Sequence, residues 1–72
     1  MTAEQEKALI NYLKATKAFD TSLKYAKRGY GADLSMAVQK SVAELKKLFS
    51  QEEVDYLTCA AYQPEIMAHY HI

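Results

Sequence analysis

Leu9, Tyr12, Thr16, Phe19, Leu23, Ala26 and Tyr30 recur at alternating intervals of three and four residues. That spacing draws one stripe along a single face of an α-helix, whereas a strand alternates its faces every second residue. The stripe predicts one amphipathic helix from Thr2 to about Arg28. Its opposite face carries Lys7, Lys14, Lys17, Lys24 and Arg28, with Thr21 in the same row. One side is built to pack, and the other to meet water or a negative group.

Both ends of this helix are marked. Thr2 and Gln5 have the spacing of a capping box, in which each side chain satisfies a free backbone N–H of the other residue. Glu4 and Glu6 fall in the first turn and Lys24, Lys27 and Arg28 in the last, matching the helix dipole. Gly29 follows as a natural C-cap, because it takes positive φ without a Cβ clash. Phe19-Asp20-Thr21-Ser22 is the weak point, since Asp, Thr and Ser compete for backbone hydrogen bonds. The unbroken apolar register favours continuity.

Gly29-Tyr30-Gly31 predicts a tight reversal into an antiparallel hairpin. Asp33 or Ser35 then caps a second helix to about Phe49, with the stripe Leu34, Val38, Val42, Leu45, Leu48 and Phe49. Lys40, Glu44 and Lys47 form a solvated row on its far side. Ser50-Gln51-Glu52-Glu53 is a second capping box, with Phe49 placed to staple against Val54. A third helix follows from Gln51 to about Tyr62. Val54, Leu57 and Ala61 point inward, and Tyr56, Cys59 and Ala60 outward. Pro64 stops this helix; the remainder either adds one turn, with Pro64 at its first position, or stays extended. The expected fold is an all-α single domain over residues 1–72. It has a long N-terminal helix in an antiparallel hairpin with a second helix, a shorter third helix and a brief C-terminal turn.

A chain of 72 residues buries only about 60% of its unfolded surface, so its core is marginal unless something adds to it. One cysteine excludes an internal disulfide framework, which leaves association as the expected supplement. Half of the residues are hydrophobic, too many for a disordered tail. They are dispersed, and no run reaches the roughly 18 needed to span a bilayer. The polar, charged start is unlike a signal peptide, so cytoplasmic is the default location. Net charge is zero, yet residues 1–47 hold all nine Lys and Arg against five acids, whereas residues 48–72 hold four acids and no Lys or Arg. Such asymmetry orients a chain against a charged partner or a copy of itself.

Few residues carry chemistry. Cys59, His69 and His71, with an acid such as Glu65, could in principle ligate a metal, but one cysteine and a terminal His-x-His lack a second pair. No metal, cofactor or catalytic residue is expected. Set against a metal ligand or nucleophile, the plain reading of Cys59 is a small apolar group, and 72 helical residues leave little room for a substrate pocket. Lys24-Tyr25-Ala26-Lys27-Arg28-Gly29-Tyr30 interleaves base and aromatic, and Lys14 and Lys17 extend the row. Such a row can contact phosphate while tyrosine stacks on a base. Zero net charge argues for a solvated face instead. Tyr25, Tyr56, Tyr62 and Tyr70 fall off or at the edge of the predicted core stripes, where tyrosine is typical of an interface, and Cys59 and Ala60 share the outer side of the third helix with Tyr56.

The expected function is therefore a small non-enzymatic helical protein-binding module, an accessory modulator or inhibitor of a larger partner. It is also expected to self-associate as a dimer, with Tyr56, Cys59, Ala60 and Tyr62 at the interface. The alternative is nucleic-acid or nucleotide binding through Lys14, Lys17, Lys24, Lys27 and Arg28.

Overall fold

The computed structural model describes the backbone of residues 1–24 and 30–72 and the side chains of residues 1–21 and 33–72. Among the described residues the chain forms four helices: α1 (Ala3–Lys24), α2 (Tyr30–Leu48), α3 (Gln51–Thr58) and α4 (Gln63–His69). The first two pack extensively against each other as the expected hairpin. At 1.5 Å per residue α1 is about 33 Å long, nearly the full 36 Å long axis of the molecule.

Helix α1 starts where its capping box says. Thr2 N donates to Gln5 Oε1 at 2.9 Å, and Gln5 N to Thr2 Oγ1 at 3.1 Å. The Gln5 amide also donates to Leu48 O at 2.9 Å, so one side chain caps α1 and satisfies a carbonyl at the end of α2. The helix runs unbroken through Phe19-Asp20-Thr21, where Thr21 Oγ1 turns back to Lys17 O at 2.9 Å instead of ending the ladder. The expected end near Arg28, the Gly29 cap and the side chains of Lys24, Lys27 and Arg28 lie outside the described residues.

Two boundaries differ from the sequence reading. Helix α2 begins at Tyr30, so Asp33 is not its cap but sits in its first turn, where a carboxylate suits the exposed N–H groups. Helix α3 stops at Thr58 rather than near Tyr62. Thr58 Oγ1 donates to Val54 O at 2.7 Å, and Cys59 takes an extended backbone. Residues 59–62 then turn the chain so that α4 can return to the core, which a straight third helix would have carried away. Ala61, expected in the core, is exposed in that turn. Pro64 therefore does not end α3; it lies in the first turn of α4, the first of the two alternatives for this segment, where a missing N–H costs nothing.

Among the described residues the buried hydrophobic core holds Ala8, Leu9, Tyr12 and Leu13 from α1, Leu45 from α2, Phe49, and Val54 and Leu57 from α3. Ala8 and Leu13 lie beside the expected stripe. The buried face of α1 is wider than a coiled-coil seam because α2 alone does not cover it. Val38, Val42, Leu48, Ile66, Met67, Tyr70 and Ile72 pack around the edge. Ser50 caps α3 with both halves of its box present, and Phe49 and Val54 flank it in the core as a staple would.

The C-terminus closes by a left-handed residue. His71 has φ 58°, His71 N donates to Ala68 O at 3.2 Å and Ile72 N to Met67 O at 2.9 Å. This is a Schellman motif with histidine where glycine is usual. It tucks Ile72 against the core edge. Replacing His71 with Gly is expected to raise stability by about 1 kcal/mol, the order of the penalty on an L-residue held left-handed. Ser50→Ala is expected to lower it by about 1 kcal/mol through the lost cap. Urea unfolding measures both.

Candidate functional site

Where α3 and α4 meet the start of α1, the surface is indented rather than filled. One groove of about 330 Å³ runs between Met1, Phe49, Tyr56 and Leu57, with Glu52 and Glu53 along it. A second, of about 320 Å³, shares Met1, Tyr56 and Leu57 and continues past Leu9, Ile66 and Tyr70 to Glu65 and His69. Buried Leu57 and Phe49 give the floor, while Met1 is 71% and Tyr56 50% exposed. Large apolar side chains left this open are characteristic of a contact surface.

The capping box of α3 sets the electrostatics. Helix starts favour acids, and Glu52, Glu53 and Glu65 all sit in the first turns of their helices. Glu53 is engaged by Ser50, whose N and Oγ donate to its Oε1 at 3.3 and 2.9 Å. Glu52 and Glu65 form no ion pair among the described residues, where the one pair is the exposed Lys47–Glu44 contact at 3.4 Å. No Lys or Arg lines either groove. The rim is therefore acidic and the floor apolar.

The four residues singled out as an interface are arranged differently from a helix face. Tyr56 on α3 and Tyr62 beyond the turn meet with ring centroids 4.7 Å apart and planes tilted by 34°. Cys59 is half-buried and caps α3, its N–H donating to Tyr56 O at 3.3 Å, whereas Ala60 is exposed. The structure thus pairs the two tyrosines through the 59–62 turn. Met1 and Ile66 join this end of the molecule with no periodic signal in the sequence, and Tyr70, an off-stripe tyrosine like Tyr56 and Tyr62, reaches it through the return of α4.

One well-formed long-range hydrogen bond ties the returning segment to α1. Gln63 Nε2 donates to the hydroxyl of Tyr12 at 2.8 Å. Tyr12 is 4% exposed, so this bond satisfies a buried polar tip. Tyr70 Oη adds a weak contact to Met1 Sδ at 3.9 Å.

Of the basic row, Lys7, Lys14 and Lys17 are exposed, and half-buried Ile10 lies among them over a shallow groove lined by Ala3, Glu6, Lys7, Ile10, Asn11 and Lys14. The largest groove among those described, about 520 Å³ between α1 and α2, places Glu4 and Glu44 with Lys7 and Lys40. Its charges offset one another, and its Ser41 hydroxyl already donates to Val38 O at 2.7 Å. Among the described residues no group of three His, Cys, Asp or Glu could hold a metal ion. His69 stands edge-on to Tyr70 with centroids 4.9 Å apart. No described helix is long and apolar enough to cross a membrane.

Compared with known proteins, the chain matches no family model, no curated protein and no solved structure.

If the Gln63–Tyr12 bond holds α4 in place, Tyr12→Phe and Gln63→Ala should each cost about 1 kcal/mol. The double variant should cost little more than either alone. Denaturant unfolding of the four proteins gives the coupling, and strictly additive losses would mean that other contacts dock α4.

Proposed function

We propose that this chain is a small non-enzymatic protein-binding module, self-associating and acting as an accessory modulator of a larger partner. Its contact surface is the end built by α3, α4 and the start of α1. The observation that carries this reading is the open apolar floor of Phe49 and Leu57, flanked by exposed Met1 and Tyr56 and bordered by the Tyr56–Tyr62 pair. A domain with only eight buried hydrophobic side chains described gains most from covering such a surface. Tyrosine supplies large contact area there at small entropic cost.

The second reading is nucleic-acid or nucleotide binding through Lys14, Lys17, Lys24, Lys27 and Arg28. Exposed Lys7, Lys14 and Lys17 on one side of α1 favour it. The two differ in their response to salt, because phosphate contacts release counterions and weaken steeply as salt rises. Sedimentation equilibrium should give a mass above the 8.2 kDa monomer at high micromolar concentration. A labelled single-stranded DNA should show no saturable binding in low salt. A strictly monomeric protein that binds the oligonucleotide with steep salt dependence would replace the first reading by the second.

A further inference from the structure

We infer that the acid-rimmed groove of one copy receives the lysine face of α1 from a second copy, in a two-fold pair that makes this contact twice. The inference rests on the self-associating reading above and names the surfaces that carry it. Glu52 lies in one groove and Glu65 in the other, on either side of the shared Tyr56 and Leu57. A complementary occupant is therefore a helix with cations flanking an apolar residue. The chain carries that surface itself: Lys7, Ile10, Lys14 and Lys17 follow one another at intervals of three, four and three residues along α1. The lysines are exposed and Ile10 is half-buried among them. Lysine stems lie well on apolar surface while their ammonium groups reach out to carboxylates.

The charge distribution selects this pairing over two others. Lysine face on lysine face sets Lys7, Lys14 and Lys17 against their copies with Glu6 alone among the residues of the shallow groove there to offset them, and acidic groove on acidic groove sets acids together; each is penalised. Groove on lysine face brings Glu52, Glu53 and Glu65, three of the four acids of residues 48–72, to the cationic part of the chain. Every copy carries both surfaces, so a two-fold pair that brings both to its seam makes the contact twice and closes, whereas a head-to-tail stack would extend into a filament.

Charge exchange tests this directly. One variant carries Glu52→Lys and Glu65→Lys, the other Lys7→Glu and Lys14→Glu. All four side chains are exposed, and Glu53 is kept because it belongs to the cap. Each variant alone should dimerise at least about a hundredfold more weakly than the unmodified chain. An equimolar mixture should recover a dimer holding one of each, read by sedimentation velocity and native mass spectrometry. A mixture that stays monomeric overturns the pairing. So do variants that dimerise as well as the parent, although self-association through Tyr56 and Tyr62 would then stand. A parent monomeric at high micromolar concentration overturns both readings. Should the first variant lose helicity, the second decides alone: undiminished dimerisation overturns the inference and loss of the dimer supports it.

Discussion

The fold depends on covering one face of α1 between Ala8 and Thr16. Half of the buried hydrophobic residues described, Ala8, Leu9, Tyr12 and Leu13, come from this stretch of little more than two turns. Helix α2 lays Leu45 and the half-buried Val38 and Val42 against the hydrophobic cluster but leaves part of it to others. Val54 and Leu57 fill the centre of what remains, and Ile66, Met67, Tyr70 and Ile72 close its edge. Burying a large aliphatic side chain is worth roughly 1.5–3 kcal/mol. So few of them explain why α3 and α4, each too short to persist alone, are held in place.

Polar groups fix the ends of this arrangement. Gln5 joins the first turn of α1 to the carbonyl of Leu48 at the end of α2, and Gln63 joins the start of α4 to the buried hydroxyl of Tyr12. The exception is Thr16. Its Oγ1 is buried with no hydrogen-bond partner among the described residues, a standing cost at the far end of that α1 face.

Features encoded by neighbouring residues were legible in the sequence, and those encoded by the fold were not. The capping boxes of Thr2 with Gln5 and Ser50 with Glu53 stand three residues apart, so spacing alone reveals them. The apolar period carried the hairpin through Asp20 and Thr21 correctly. It missed Ala8 and Leu13, since a strict alternation of three and four describes contact with one partner helix, whereas α1 has neighbours on two sides. It also carried α3 past Thr58, because nothing local announces that Ile66 and Met67 must fold back onto Leu9 and Leu57. The same limit applies to the candidate surface. Tyr56 and Tyr62 stood out as tyrosines that no stripe accommodated. The grooves around them needed Met1, Tyr70 and Phe49 to converge from three parts of the chain.

The C-terminal closure of α4 bears on how this end of the molecule breathes. No α4 residue is fully buried. Its long-range ties are the Gln63–Tyr12 bond, the weak Tyr70–Met1 contact and the edge packing of half-buried side chains. The Schellman bonds of His71 and Ile72 are internal to the segment, so they survive if it lifts away as a unit. Detaching residues 63–72 should therefore cost less than unfolding the hairpin, and amide hydrogens there are expected to exchange through a local opening. Each such opening uncovers Leu9 and Leu57, so the floor of the groove and the stability of the last helix are governed by one equilibrium.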